Sequence, residues 1–358
     1  MGTPEAGVAA SPLARMHGLT GAEYWNDGCV RDEIAYALAR GAVGATSNPS
    51  LVLDAMRKES AHWTGRVAAL HAAHPALPED ELTWTLIEEM AVGSAALLEG
   101  HGRLSLQTNP TWYGDAARIT AQAIRFAALA PNIQVKIPVT AAGISAIEEA
   151  TFAGISINAT VSFTVPQALA VGEAVERGLR RREAAGLSVA GMAPVCTLMF
   201  GRLDDWMRAI VERDQLSVDP SALDWAGIAV VKRSVELYRE RGYRTRLLGG
   251  AFRHMLHWTE LMGADLILTI PYQWQVQFNA SGLVPARSLG VPVDPAVVAE
   301  LLAHLPDFRR AYEPDGLSVA EFDTYGATVR TLRGFIGAYH ELIAAVRDVV
   351  LPSPDVRP

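Results

Sequence analysis

The sequence predicts an α/β protein built as a single (β/α)8 TIM barrel with extra N- and C-terminal helices. Short apolar runs alternate along the chain with longer amphipathic segments, and there are eight such runs. Strands followed by helices at this spacing indicate parallel βαβ units, and eight units suggest a closed barrel. A length of 358 residues, half of them hydrophobic, fits two ordinary domains or one barrel with extensions, and the eight repeated units favour the barrel.

The predicted strands are short and rich in apolar residues. They are Glu23–Asn26, Ala42–Thr46, Arg103–Gln107, Ile133–Ile137, Ser156–Val161, Pro194–Phe200, Arg246–Leu248 and Leu266–Ile270. The predicted helices between them include Arg31–Arg40, Asp80–Glu99, Gly114–Leu129, Ser145–Phe152, Pro166–Ala185, Leu203–Arg213, Ala222–Arg241 and Phe252–Met262. Two further helices, Asp294–His304 and Val319–Val350, are expected to pack outside the barrel.

The domain organisation follows from this pattern. Residues 1–22 form an N-terminal extension, residues 23–350 the barrel with its C-terminal helices, and residues 351–358 a tail. Glycine and proline are frequent in residues 1–20 and proline in residues 352–358, so both ends are expected to be mobile.

Composition excludes several classes of protein. A net charge of −8 and a pI near 5.6 argue against nucleic acid or an anionic membrane as a partner. No apolar stretch reaches the ~18 residues of a membrane span, and Met1–Ser11 lacks the order of a signal peptide. The two cysteines, Cys29 and Cys196, show neither metal spacing nor a disulfide framework. This cysteine usage predicts a protein of the reducing cytoplasm.

The sequence predicts no cofactor and no metal. Nucleotide-binding, zinc-protease and serine-hydrolase motifs are absent. Two histidine pairs, His71 with His74 and His254 with His257, have a spacing that could serve a metal, but no third ligand is evident in the sequence.

Lysine is scarce in this chain. Only Lys58, Lys136 and Lys232 occur among 31 basic residues, and the rest are arginines. Lys136 lies inside the apolar run Ile133–Pro138. A desolvated amine can lose its proton and act as a nucleophile, which a guanidinium cannot do. The alternative is a lysine that extends to solvent from the end of a strand. The neighbouring segments favour the catalytic interpretation.

Polar side chains are predicted at the carboxyl ends of seven strands, where barrels of this class place their reactive groups. They are Asp27, Ser47, Asn48, Gln107, Thr108, Asn109, Lys136, Asn158, Thr160, Thr197, Arg202 and Arg253. Each alone would be explained by a turn or a helix cap. One acid, one buried amine and two arginines among small hydrogen-bonding groups are harder to explain by packing.

At these positions the sequence resembles the transaldolase family. The matching motifs are Trp25–Asp27, Gly44–Ser50, Asn132–Pro138, Gly154–Thr160, Phe200–Asp204 and, more weakly, Gly250–Arg253 with Leu268–Pro271. They follow the family's order across about residues 23–271, and so cover most of the chain.

The resemblance implies a cofactor-free transfer of a dihydroxyacetone unit from a ketose phosphate to an aldose phosphate, as in the pentose phosphate pathway. Lys136 would form a Schiff base with the ketose, and Asp27 would transfer the proton during cleavage. The three-carbon fragment would be held by Asn48, Asn158 and Thr197. A water would be held by Thr160 and Gln107, and the phosphate would be held by Arg202 and Arg253. We expect a monomer or a homodimer.

Departures from the family pattern point to a divergent member. Gln107 stands where typical transaldolases carry Glu, and Thr197 replaces Ser. Ala251 replaces a serine two residues before Arg253, which should weaken phosphate binding. The fructose-6-phosphate aldolase branch shares the Gln but carries a Tyr where this chain has Met199.

Three functions therefore remain open from the sequence. The first is the transferase, and the second is a lyase that releases the free ketone, or a biosynthetic enzyme acting on an unusual sugar in secondary metabolism. The third is a catalytically weak sugar-binding barrel. Retention of both Lys136 and Asp27 argues against the third, because a binding protein has no need of a buried amine.

Overall fold

Eight parallel strands form a closed barrel in sequential order, with the first strand paired to the eighth. The computed structural model describes residues 11–355. The strands are β1 Glu23–Asp27, β2 Gly44–Thr46, β3 Arg103–Gln107, β4 Ile133–Pro138, β5 Ile157–Ser162, β6 Val195–Leu198, β7 Arg246–Gly249 and β8 Leu266–Ile270. The predicted fold class is confirmed, and every predicted strand corresponds to an observed one.

The inside of the barrel is divided into two parts. At the amino-terminal end Trp25, Val195, Leu248 and Ile267 form a separate apolar cluster that fills the interior. Towards the carboxyl-terminal end the inward-facing residues are polar. All six residues of β4 and of β5 are buried, because helices cover the outer face while the interior covers the other. The apolar end supports the structure and leaves the polar end for chemistry.

Fifteen α-helices lie in the described range. They are α1 Pro12–Thr20, α2 Arg31–Leu38, α3 Pro49–Lys58, α4 Ser60–Ala73, α5 Glu79–Leu97, α6 Ala116–Ala127, α7 Ala141–Phe152, α8 Val165–Ala184, α9 Phe200–Asp214, α10 Ala226–Arg241, α11 Leu256–Thr259, α12 Tyr272–Ala280, α13 Pro295–His304, α14 Pro306–Tyr312 and α15 Gly326–Val350. Short 3₁₀ helices occupy Pro110–Trp112, Ala222–Trp225 and Val319–Thr324.

The helix predicted over Phe252–Met262 is wrong in extent. Only Leu256–Thr259 is helical. The preceding segment is a loop in which the Arg253 backbone N–H donates to the His257 side chain, and Ala251, directly before the predicted helix, adopts a left-handed backbone conformation with φ at 70°. The loop carries Arg253 and is part of the site described below.

The expectation that residues 1–20 are mobile is wrong for residues 11–20. Helix α1 packs against the barrel with Leu13 and Met16 buried, and the Trp258 Nε1–H donates to the Met16 sulfur at 3.2 Å. Pro12 and Gly21 are the start and stop signals of this helix, and Gly21 has a φ of 81°. Residues 1–10 lie outside the described range, as do residues 356–358.

Helix α15 is the longest helix and packs across α3, α4 and α5. Its buried face includes Phe335, Leu342 and Val346, and Phe335 reaches the carboxyl-terminal end of the barrel. Within residues 11–355, none of the helices has both the length and the apolar character that a membrane span requires.

Candidate active site

A small cavity opens at the carboxyl-terminal end of the barrel, with a volume of about 150 Å³. Its polar lining consists of Asp27, Asn48, Ser50, Lys136, Thr197, Arg202, Arg253 and Thr269. Six of the predicted site residues therefore border one cavity. The other three, Gln107, Asn158 and Thr160, are buried in β3 and β5, the strands on either side of Lys136.

Lys136 is buried in β4, with only 2% of its surface exposed. Its Nζ donates a hydrogen bond to the Ser47 carbonyl oxygen at 3.3 Å. Burial lowers the pKa of Lys136, because the charged form loses its hydration. The positive charge of Arg202 lowers the pKa further, whereas the nearby Asp27 carboxylate raises it. The environment thus favours the neutral amine, which is the nucleophilic form.

Asp27 ends β1 and faces the same cavity. Its Oδ1 accepts a hydrogen bond from the Thr46 hydroxyl at 2.7 Å, and Thr46 Oγ1 lies 2.6 Å from Thr269 Oγ1. Because the Thr46 proton goes to Asp27, Thr269 donates to Thr46. This arrangement leaves the other carboxyl oxygen for a ligand. Burial raises the pKa of Asp27, while Lys136 and the Thr46 hydrogen bond oppose the shift.

A hydrogen-bonded polar layer crosses the barrel beneath Lys136. Thr197 donates to Asn158 Oδ1 at 2.6 Å, and Asn158 Nδ2 donates to Ser105 Oγ at 3.0 Å. Ser105 donates in turn to Gln134 Oε1 at 3.0 Å, and Gln134 Nε2 donates to the Ala193 carbonyl at 2.6 Å. These bonds fix the orientation of the Asn158 amide and leave one of its N–H groups for a ligand.

Thr160 lies at an irregular point of β5. The pairing of β5 with β6 shifts between Ala159 and Ser162, and Val161 has a φ of 57°. A β-branched residue in this conformation is strained, and such bulges reorient neighbouring side chains next to active sites. The Thr160 hydroxyl lies 3.9 Å from the Met199 sulfur, which lines the cavity.

Arg202 and Arg253 form the cationic side of the cavity. The Arg202 guanidinium lies 5.2 Å from the centre of the Phe335 ring. Burial lowers the pKa of Arg202, and the neighbouring positive charge of Arg253 contributes. Arg253 is instead held by Asp205, whose carboxylate accepts from Nε at 3.0 and 3.1 Å and from Nη2 at 2.7 Å. The two arginines thus differ in their charge environment.

Gly201 allows the loops of these two arginines to meet. A Cβ added at Gly201 would lie 1.9 Å from the Ala251 carbonyl oxygen and 2.8 Å from Arg253 Cγ. Only a residue without a side chain permits this approach. The glycine before Arg202 therefore sets the distance between the two cationic groups.

Some contributors were missed in the sequence interpretation. Thr46 and Thr269 orient Asp27, Ser105 orients Asn158, and Phe335 packs on Arg202. Thr46 belongs to a recognised motif, but nothing in the sequence shows which side chain it contacts. Asn48 has two tasks, because its Oδ1 also caps α3 by accepting from the Leu51 N–H at 3.1 Å.

A second cavity, of about 520 Å³, opens at the opposite end of the barrel. Its lining is mostly apolar, and its acid Glu23 is paired with Arg246 at 2.9 Å. It contains no amine, and in barrels of this class chemistry takes place at the carboxyl-terminal end. The smaller cavity around Lys136 is the candidate active site.

A closed barrel whose polar end combines a buried amine with a carboxyl group is the architecture of a barrel enzyme. The chain belongs to the transaldolase/fructose-6-phosphate aldolase family, whose model matches residues 24–313. The resemblance stated from the sequence motifs is thereby confirmed.

Curated relatives carry the same family name. The transaldolase of Neisseria gonorrhoeae is 28% identical over 277 residues, which are 70% of this chain and 79% of that protein. The transaldolase of Thiobacillus denitrificans is 28% identical over 327 residues, or 81% of this chain and 88% of the relative. Transaldolase 1 of Streptomyces coelicolor is 28% identical over 306 residues, or 75% of this chain and 78% of the relative.

Proposed function

We propose that this protein is a transaldolase that transfers a dihydroxyacetone unit from a ketose phosphate to an aldose phosphate through a Schiff base on Lys136. The observation that carries the proposal is a buried amine that shares a small cavity with Asp27 and two arginines. The names of the relatives support the transferase over the lyase, and they support an enzyme over a binding barrel.

Formation of the Schiff base requires a neutral Lys136 amine and a protonated Asp27. Burial favours this form, because it shifts the pKa of Lys136 downwards and that of Asp27 upwards, whereas the attraction between the two charges opposes it. The Lys136 amine attacks the ketose carbonyl to give a carbinolamine. Asp27 then supplies the proton with which the hydroxyl leaves as water. The products are an iminium cation and the Asp27 carboxylate, so protons and charge balance.

Carbon–carbon cleavage uses the carboxylate made in the first step. The iminium cation beside Asp27 favours its ionised form, because an opposite charge lowers the pKa of an acid. Asp27 takes the proton of the hydroxyl on the carbon that leaves, the C–C electron pair moves into the iminium, and an aldehyde departs. An enamine of dihydroxyacetone remains on Lys136. Addition of this enamine to an acceptor aldehyde reverses the sequence, and Asp27 returns its proton.

The remaining polar groups are suited to hold the substrate. Asn48, Thr197 and the free N–H of Asn158 can bind the hydroxyl groups of the three-carbon fragment. Arg202 and Arg253 provide guanidinium groups on one side of the cavity, and guanidinium matches the oxygens of a phosphate. We assign the phosphate of donor and acceptor to this side.

The test is the formation of a seven-carbon ketose phosphate from fructose 6-phosphate and erythrose 4-phosphate. A transaldolase forms this product only when the acceptor is present and releases little free dihydroxyacetone. Equal release of dihydroxyacetone with and without acceptor would contradict the transferase and identify a lyase. Product analysis by mass spectrometry separates the two, and Lys136→Arg serves as the inactive control, since guanidinium does not deprotonate.

A further inference from the structure

A buried chain of hydrogen bonds lies beneath the loop that carries Arg253. The Asp204 carboxylate is fully buried; its Oδ1 accepts from the Gly227 N–H at 2.8 Å, and its Oδ2 lies 2.8 Å from His257 Nε2. On the other side of the ring, His257 Nδ1 accepts the backbone N–H of Arg253 at 3.1 Å. These hydrogen bonds therefore link α9 and α10 to the backbone of Arg253.

These partners fix the tautomer of His257. Because Nδ1 accepts the Arg253 amide, it carries no proton, and the proton of the neutral ring lies on Nε2 and is donated to Asp204. Burial works to raise the pKa of Asp204, but the hydrogen bonds that it accepts outweigh this and hold its pKa below the usual value. Asp204, which accepts the hydrogen bonds from His257 and Gly227, is therefore favoured in its carboxylate form.

Asp204, His254 and His257 also have the composition of a metal site, with ligand atoms within 4.8 Å of one another. The fold thus supplies the third group that the sequence did not reveal for the two histidines. However, a metal on His257 Nε2 would require the ring proton on Nδ1, where it would face the Arg253 N–H. The observed bond from Arg253 and a metal on Nε2 exclude each other, so the geometry favours the hydrogen-bonded chain.

We propose that Asp204 and His257 are positioning residues that set the backbone of Arg253 and so shape the anion-binding side of the active site. The proposal rests on the assignment of Arg253 to substrate phosphate. The loop needs such a constraint, because Ala251 holds a left-handed conformation and the Arg253 guanidinium also donates to the Ala251 and Phe252 carbonyls. Loss of the His257 acceptor would leave the Arg253 N–H without its partner and release the loop.

Asp204→Asn tests the proposal with little change of shape. The amide oxygen can still accept from Gly227, but the amide NH₂ must donate to His257 Nε2, which moves the ring proton to Nδ1 and against the Arg253 N–H. We expect the dissociation constant for inorganic phosphate, measured by calorimetry on the full chain, to rise about tenfold, as for one lost hydrogen bond. The ¹⁵N chemical shifts of the His257 ring should report the exchanged tautomer.

Two variants serve as controls. His254→Gln changes a ring that is stacked 3.8 Å from that of His257 and whose Nε2 lies 3.5 Å from Asp204 Oδ2 without forming a hydrogen bond within the described residues. This variant should keep the wild-type phosphate affinity. His257→Gln should also retain affinity, because its amide can donate to Asp204 and accept from Arg253, whereas His257→Phe should lose it. If Asp204→Asn does not fold, the comparison of His257→Gln with His257→Phe makes the same test.

Several results would overturn the proposal. One such result is a phosphate affinity of Asp204→Asn equal to that of the wild type. If Asp204→Asn does not fold, wild-type affinity in His257→Phe has the same meaning. Another is a loss of affinity in His254→Gln as large as the loss in Asp204→Asn. Zn²⁺ bound one to one by the wild type and lost in His254→Gln would identify a metal site instead. A wild-type protein that binds no phosphate overturns the proposal together with the anion-site assignment. Phosphate binding requires no turnover, so it tests the positioning role of Asp204 and His257 without depending on the Schiff base. Trapping at Lys136 tests the Schiff-base chemistry separately.

Discussion

Gln107 lies directly beside Lys136 in the ladder between β3 and β4, as its register partner. The Gln107 side chain is 4% exposed, and its Oε1 accepts no hydrogen bond from any residue in the described range. A buried carbonyl oxygen without a donor costs about 1–3 kcal/mol. A hydroxyl on the carbinolamine of Lys136 can supply that donor, so the position favours a reaction intermediate.

Gln107→Glu should therefore raise turnover rather than abolish it. A glutamine can hold a water or a hydroxyl but cannot transfer its proton, whereas a carboxyl group can do both. We expect a gain of roughly tenfold in kcat on fructose 6-phosphate with erythrose 4-phosphate, a modest share of what a general acid–base supplies. Steady-state kinetics with Gln107→Leu as the control, which should be slower than wild type, makes the comparison. A fall in kcat for Gln107→Glu would show that the pocket has been shaped for a different sugar.

Asp27→Asn should still form the iminium, more slowly because water must replace Asp27 as the proton donor, and should cleave the donor slowly. An amide keeps the shape and the Thr46 hydrogen bond but cannot accept the proton of the leaving hydroxyl. A loss of about 10²–10⁴-fold in the cleavage rate is expected, the usual range for a general acid–base. Single-turnover measurements separate cleavage from Schiff-base formation, and Asp32→Asn, an exposed acid of α2, is the control. Wild-type cleavage in Asp27→Asn would assign the proton transfer to another group.

The pH dependence of Lys136 should show its lowered pKa. Only the neutral amine reacts with pentane-2,4-dione, whose enaminone is followed by absorbance, so the rate should rise through a midpoint below the ordinary lysine value of 10.5. The Asp27 carboxylate raises the pKa of Lys136, and removing it in Asp27→Asn should move the midpoint to still lower pH. A midpoint at the ordinary value, or an upward shift in Asp27→Asn, would contradict this electrostatic account.

The two arginines should affect phosphorylated substrates alone. Arg202→Gln and Arg253→Gln should each raise KM for a ketose phosphate by roughly 10–100-fold, because a charged hydrogen bond contributes about 1.5–3 kcal/mol. The loss should be greater for Arg202, since Asp205 already neutralises part of the charge of Arg253. KM for free dihydroxyacetone should not change, and Arg208→Gln, which breaks a pair with Asp224 outside the cavity, is the control. An equal effect on both kinds of substrate would contradict the phosphate assignment.

The fold was largely predictable because each strand is a short apolar run followed by an amphipathic segment. Two of the differences have local causes. Pro12 was interpreted as a sign of mobility, although it begins a helix that Gly21 ends. The helix predicted from Phe252 missed a loop that follows Ala251, a residue in the left-handed conformation whose carbonyl lies close to Gly201, and the sequence does not reveal this tertiary contact.

The candidate site was predictable in its residues but not in its connections. Motif order and strand ends placed Lys136, Asp27 and both arginines in one region, and the structure brings them to one cavity. That His257 joins Asp204 to the backbone of Arg253 depends on the packing of α9 against α10 and the following loop. Sequence spacing had suggested only a pair of histidines.

The central claim is that Lys136 forms the Schiff base, and borohydride trapping with a ketose tests it directly. Lys58 is an exposed partner of Glu33, and Lys232 donates to Glu260 and to backbone carbonyls, so neither amine lines the cavity that contains Asp27. Mass spectrometry of the reduced, digested protein should place the three-carbon fragment on the peptide that contains Lys136, and Lys136→Arg should carry no label while remaining folded. Label on Lys58 or Lys232, or no label with any ketose, would contradict the account.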